Sequence, residues 1–460
     1  MQLKPRLLSF YGDDFTGSTD AMEALTISGF KTVLFLEPPT KNLLDEQFPD
    51  VQCIGVAGTS RTMTPEQMEQ DLTTLFTQIK ELGAPINQYK ICSTFDSSPS
   101  VGNIGKVLEI ILKINDTQSF VPILAGVPPL ARYTVFGNHF AKVKENVFRL
   151  DEHPVMSKHP ITPMQEANLL KHLGKQTNLS IALMDITFMN NDDSNLANEV
   201  SRLVREEGAK GLLFDVTTDD DLTRIGELIW EGSEDEQQFV VGSSGIEYAL
   251  TNYWNTKENM NSEYVNKKEG EQVEKEQVLI VSGSCSAITS DQIKYALDNG
   301  FTGLKVSPAK LMKSASYSEE LLTKVIRMVD AGENVIVYSA LGSEDSSIMD
   351  TREYLESIGV KPADSGQLLG VKFGELIKTT VERTSLKRIV IAGGDTSSYA
   401  TLEMEIYALE MIKRVAPGAP LCKAYSNDPR FDGLEIALKG GQLGQVDYFT
   451  KVHQGSGVKV

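Results

Sequence analysis

Residues 7–25 read LLSFYGDDFTGSTDAMEAL, and this stretch decides the fold class. An apolar run, Leu7–Tyr11, stops at Gly12. It passes through two carboxylates and a turn of small residues, then continues with helical spacing. A strand feeding a helix through a short loop is the repeating unit of α/β sheets. The same pattern recurs outward along the chain. Further candidate strands are Thr32–Leu36, Gln52–Ala57, Pro122–Ala125, Gly211–Val216 and Phe239–Gly242, then Val278–Ser282, Asn334–Tyr338 and Arg388–Ala392. Several are unbroken Val/Ile/Leu runs, as strands covered on both faces are. Between them, Pro65–Leu82 sets Met68, Leu72, Phe76 and Ile79 on one helical face. Thr396–Lys413 sets Leu402, Ile406, Leu409 and Ile412 in the same way. The expectation is an α/β protein with mainly parallel sheets.

Residues 255–277 (NTKENMNSEYVNKKEGEQVEKEQ) are polar, charged and almost free of large apolar groups. That composition reads as a linker between a domain at 1–254 and another at 278–460. The 460 residues carry 44 basic and 63 acidic side chains, a formal net charge of −19. Such a surface repels phosphate backbones, so no nucleic-acid partner is expected. Cys53, Cys92, Cys285 and Cys422 form no CxxC pair and have no His at zinc-ligand spacing. Free buried thiols in a reducing compartment are expected rather than a zinc or disulfide framework. The N-terminal apolar run is short and ends in carboxylates, and no apolar stretch has the length of a membrane span. The expectation is a cytoplasmic protein with no membrane partner, its self-association left open.

Ligands of open α/β sheets sit beyond the carboxyl ends of the strands. Asp13 and Asp14 there suit hydroxyl binding, general-base work or a metal; as plain turn residues they need no ligand. The Gly17–Ser18–Thr19 amides at the helix start suit an anion. Residues 89–105 (YKICSTFDSSPSVGNIG) set Lys90, Thr94, Asp96 and Ser97 after a strand, a composition suited to a polyol or sugar acid, or to an ordinary turn. Ser282–Gly283–Ser284–Cys285–Ser286 is a small-residue turn that is neither a Walker A loop nor G-x-G-x-x-G. Gly393–Gly394–Asp395–Thr396 joins glycines and a hydroxyl to a helix N-terminus, a generic phosphate site, with Asp395 suited to Mg²⁺, ribose or an N-cap. Lys439–Gly440–Gly441 makes a basic, flexible loop. Hydroxyl- and carboxylate-rich loops fall in the first half and phosphate-ready turns in the second, the division that a small-molecule kinase needs.

Taken together and in order, these motifs resemble those of the four-carbon acid sugar kinase family. Residues 11–20, YGDDFTGSTD, are similar to its A-D-D-x-T-G-x-x-D signature, and Thr59–Ser60–Arg61 to D-T-x-S-R, with Gly58 in the Asp position. Gly242–Gly245, Ser282–Ser286, Gly393–Thr396 and Lys439–Gly444 are similar to its G-S-x-G, S-G-S-x-S, G-G-D/E-T and K-x-G-x-x-G segments. One departure stands out. The K-x-D-S-T-x-R-G-N segment runs here from Lys90 to Asn103 without its Arg, and Arg132 is the candidate substitute.

The resemblance implies an N-terminal acid-sugar-binding domain, a C-terminal nucleotide-binding domain, and ATP-dependent, Mg²⁺-assisted phosphorylation of a sugar-acid hydroxyl. It implies that Asp13, Asp14, Thr16, Gly17 and Arg61 lie near the substrate. Ser286, Gly393, Gly394, Asp395, Thr396, Gly440 and Gly441 would lie near ATP. To these the loop chemistry adds Lys90, Asp96, Ser97 and Arg132 for the acid, and Ser284 and Lys439 for the nucleotide. Asp14, with Asp395 as rival, is the candidate proton acceptor. The metal ligands stay open. The competing reading is a paralogue that binds a sugar acid or nucleotide without turnover.

Overall fold

The opening stretch folds as a βα unit. Leu8–Gly12 is a buried strand, β1, and Phe15–Ile27 is the helix that follows. Asp14 caps that helix, accepting the Gly17 amide at 2.7 Å. The computed structural model describes residues 5–159, 161–189, 193–256 and 273–457. They fall into two units, Met1–Lys267 and Lys268–Val460.

In the first unit the strands after β1 are β2 (Thr32–Phe35), β3 (Cys53–Ala57), β4 (Ile86–Lys90) and β5 (Val121–Leu124). Then come β6 (Arg132–Val135), β7 (Asn138–Val143), β8 (Asn146–Arg149), β9 (Ile181–Met184), β10 (Gly211–Phe214) and β11 (Gln238–Gly242). The sheet runs β2-β3-β1-β4-β11-β5-β10-β9 and is parallel at each of these pairings. Register brings Ala57, Gly12, Lys90, Gly242 and Leu124 level at its carboxyl edge. β2 and β3 lie to one side of β1 and β4 lies on the other, so the topological switch point falls between β1 and β4. Helices Pro65–Glu81 and Ile104–Ile114 pack Phe76, Ile79 and Val107 with Tyr11, Tyr89 and Val241. A Thr64–Gln67 capping box starts the first of these helices. Side chains alternate across a strand, so Gln88 and Lys90 face the other side, where they meet Glu247 and Asp20. Between β5 and β9 the chain inserts a small antiparallel sheet, β6-β7-β8. Buried Asp215 holds its first turn by accepting the Phe136 and Gly137 amides.

The second unit has β12 (Val278–Ser282), β13 (Thr302–Lys305), β14 (Val335–Tyr338), β15 (Arg388–Ala392), β16 (Ile406–Ala416), β17 (Ala419–Ser426) and β18 (Glu435–Lys439). Their order is β13-β14-β12-β15-β18-β17-β16, with β17 antiparallel to both neighbours. Tyr338, Ser282, Ala392 and Lys439 lie level at the carboxyl edge of the parallel part. Arg388, with no exposed surface, ties β15 to Glu435 and to the carbonyls of Val452, His453 and Glu274.

Three expectations need correction. The stretch 396–413 is not one helix: a helix spans Gly394–Leu402, Glu405 takes φ +52°, and Ile406 opens β16. Pairing with β17 overrides the helical spacing of Ile406, Leu409 and Ile412. Lys439 is not in a loop but ends β18. Cys285 is exposed, whereas Cys53 and Cys422 are buried. Of the expected linker, residues 257–272 lie outside the described residues. No helix of the described residues is long and apolar enough to cross a membrane.

Candidate active site

At the edge of the first unit, Arg61 is the organising group. It stands on the short turn Ser60–Thr62 after β3, and its amide donates to the Asp13 carbonyl at 3.0 Å. Its guanidinium grips Asp13 at 2.7 and 3.1 Å and Asp14 at 2.7 and 2.8 Å. One planar fork serving two carboxylates is geometry that Lys cannot supply. Asp13 is buried, and its carboxyl is pushed up to about 6, burial outweighing the neighbouring Arg61. Asp14 is the more accessible, its side chain 29% exposed. Gly102, at φ +59°, fits against this turn because a Cβ would lie 2.6 Å from the Arg61 carbonyl oxygen.

Lys90, at the end of β4, is buried and donates to Asp20 at 3.2 Å. Glu247 lies fully buried beside it, bonded to Gln88 at 3.3 Å. Burial pushes its carboxyl up to about 8, which favours the protonated form near neutral pH. After Lys90 the chain turns sharply. Cys92 Sγ meets Thr94 Oγ1 at 3.0 Å, and Thr94 donates to Asp96 at 2.8 Å. Buried Phe95 takes φ +57°. Arg132 donates to the Leu130 and Ala131 carbonyls, and its buried Nε has no partner. Among the described residues no carboxylate pairs with it, and burial lowers its pKa.

In the second unit the loops after β12, β15 and β18 converge on a cleft of about 480 Å³. Gly283, Ser284, Ser286, Gly393, Gly394, Thr396 and Gly441 line it. Gly283 has no room for a side chain, since a Cβ would lie 2.2 Å from Thr396 Oγ1. Ser286 caps the helix Ala287–Asp298, accepting the Thr289 amide, and donates to the Gly441 carbonyl. Thr289 also donates to Gly441, at 2.9 Å. Lys439 is buried and reaches Thr289 Oγ1 at 2.9 Å; burial pushes its amine down to about 7. A second cleft of about 230 Å³, lined by Pro308, Ala340, Ile348, Pro362 and Leu369, shares Gly283, Cys285 and Gly366 with the first. A glycine-rich, helix-capped cradle with an adjoining apolar slot suits a phosphate chain carrying a base.

Residues 8–250 match the family model of a sugar-binding N-terminal domain, and residues 279–449 that of a nucleotide-binding C-terminal domain. Over 98% of its length the chain is 39% identical to a 3-oxo-isoapionate kinase of Paraburkholderia graminis, covering 94% of that protein. The chain belongs to the four-carbon acid sugar kinase family. It is also 27% identical to a 3-oxo-tetronate kinase of Pseudomonas savastanoi pv. phaseolicola, over 97% of this chain and 96% of that one. Two solved structures share the fold. One, from Salmonella typhimurium LT2, has a TM-score of 0.78 at 22% identity, covering 96% of this chain and 98% of its own. The other, Haemophilus influenzae HI1011, has 0.73 at 23% identity, covering 97% and 99%.

Three of the sequence-derived assignments of this family member take a different local setting. Arg61 spends its fork on Asp13 and Asp14, which leaves Arg132 as the arginine of this edge without a carboxylate partner among the described residues. Ser97 is locked in a buried network with His172 and Gln176. The Gly17 and Ser18 amides are also taken, by the Asp14 carboxylate and carbonyl. Thr16 lies in the first turn of the helix Phe15–Ile27, Asp96 accepts from Thr94 in the loop after β4, and Gly440 follows β18. Asp395 opens the helix Gly394–Leu402, and its side chain lies outside the described residues. Thr289 and Glu247 stand just past the Ser282–Ser286 and Gly242–Gly245 segments, inside the helices that follow, and His139 and His172 sit in apolar stretches with no motif around them, so the sequence alone gives none of the four a role.

Proposed function

We propose that the protein is an ATP-dependent kinase that phosphorylates a hydroxyl of a short 3-oxo sugar acid, of the 3-oxo-isoapionate or 3-oxo-tetronate class. The observation that carries this reading is the capped glycine cradle at Gly283–Ser286 and Gly393–Thr396, in a chain that aligns end to end with sugar acid kinases. Higher identity to the isoapionate enzyme favours 3-oxo-isoapionate as acceptor.

Arg132, with Lys90, meets the acceptor carboxylate. Asp14 accepts the acceptor hydroxyl's hydrogen bond, held in place by Arg61, and Asp13 fixes Arg61 from below. The acceptor oxygen attacks the γ-phosphorus, the bond to the β,γ-bridging oxygen breaks, ADP departs, and the hydroxyl proton passes to Asp14. The cradle amides and Lys439 offset charge on the donor phosphates. Among the described residues no trio of His, Cys, Asp or Glu converges. Mg²⁺ is usually held by phosphate oxygens and only one or two carboxylates, and Asp395 is the candidate here. The ion supplies neutralisation of phosphate charge.

The test is ADP release from the purified protein with ATP, Mg²⁺ and a panel of 3-oxo-isoapionate, 3-oxo-tetronates and threonates. Release with a 3-oxo acid supports the reading. A protein that binds ATP yet releases no ADP with any acid is the non-catalytic paralogue instead.

A further inference from the structure

The loop 92–98, between Lys90 and the helix Ile104–Ile114, carries Thr94 and Asp96; it is bent by bonds of its own, the Phe95 amide on the Cys92 carbonyl and Thr94 on Asp96, and by anchors outside it. Its buried Phe95 sits at φ +57°, a conformation an aromatic residue adopts only when its surroundings impose it. Two buried histidines supply that imposition. His139, in β7, contacts the Ser93 carbonyl through Nε2 at 2.8 Å and Thr134 Oγ1 through Nδ1 at 2.9 Å. A carbonyl only accepts, so Nε2 carries the hydrogen and Nδ1 receives the Thr134 hydroxyl. His172, in the short helix Leu169–Leu173, contacts Ser97 Oγ through Nε2 at 2.9 Å. Ser97 donates to the Phe95 carbonyl, so it accepts from His172 and from Gln176. The His172 ring also stands edge-on to Phe95, 6.1 Å between centres.

We propose that His139 and His172 are positioning residues for the acceptor: their Nε2–H groups hold loop 92–98 in the bent form that carries the Cys92–Thr94–Asp96 hydrogen-bond chain, and so tune which sugar acid is accepted. Both stand on one bracket. The Leu169 amide donates to Gly137, the His139 amide donates to Ala167, and Asp215 grips the Phe136 and Gly137 amides. Burial pushes both imidazoles down to about 4, so they stay neutral donors at working pH. The inserted sheet β6-β7-β8 thereby acts as a template for the acceptor loop.

The kinetic arm of the test rests on the proposed function; the exchange arm does not. In H139F and H172F, amide hydrogen exchange of residues 92–98 should accelerate while β1, β4 and β11 keep their protection. The acceptor KM should rise about tenfold, the worth of one buried hydrogen bond, with kcat and the ATP KM unchanged. H139Q and H172Q, which keep a donor near Nε2, should restore both readouts. Unchanged loop exchange in both Phe variants overturns the proposal, as does a Gln variant that behaves like Phe. Should H139F not fold, T134V removes the hydroxyl that fixes the His139 tautomer, and unaltered exchange there removes the His139 half. A wild type that turns over no acid sinks the kinase reading alone, because loop exchange still decides the clamp.

Discussion

At the scale of single residues, Arg61 joins Asp13 and Asp14 at the carboxyl edge of the first sheet. Asp13 and Asp14 could be read from the sequence as a functional pair after a strand. That one arginine joins them could not, because it comes from 47 residues away and the match depends on β3 lying beside β1. Removing Arg61 strands two carboxylates, one of them buried. R61M should cost about 3–5 kcal/mol of stability by denaturant titration, and D13N/R61M should recover part of it. Glu247 gives a pH prediction. Its folded carboxyl titrates near 8, above the ordinary glutamate range, so the folded state binds more protons across that interval. Stability should therefore fall as pH rises from about 4.5 through 8. E247Q should flatten that slope and be the more stable protein at pH 8, with chemical denaturation at a series of pH values as the check.

At the scale of elements, the strand–glycine–helix junctions were legible because glycine, hydroxyl and apolar run leave a local signature. The antiparallel end of the second sheet was not. β16 carries helical spacing by accident, and its strand state is imposed by β17, a partner that no local pattern announces. Lys439 likewise owes its setting to strand pairing, at the end of β18 beside Ala392 of β15. As the last residue of β18 it is rigid and buried beneath the cradle, bonded to Thr289, rather than a mobile loop cation. K439M should raise the ATP KM about tenfold or more and leave the acceptor KM unchanged, consistent with the loss of one charge-assisted phosphate contact. Gly283→Ala should do the same by another route, driving Thr396 out of the cradle. Wild-type ATP kinetics in both variants would detach the cradle from the nucleotide.

At the scale of the molecule, a chain of net charge −19 that accepts an anion must overcome its own field locally. In the first unit it gathers Arg61, Lys90 and Arg132, and burial favours the uncharged form of Glu247. With Arg61 held by two aspartates, Arg132 is the cation to which the proposed function assigns the substrate carboxylate. R132M should therefore raise the KM for every acid in the panel and leave ATP binding as it was. The central claim is that this chain moves a phosphoryl group from ATP to a 3-oxo sugar acid. The most direct measurement is mass spectrometry of the acid after incubation with protein, ATP and Mg²⁺. The account predicts 3-oxo-isoapionate or a 3-oxo-tetronate heavier by one phosphoryl group, in step with ADP. ADP formed while every acid keeps its mass would contradict it.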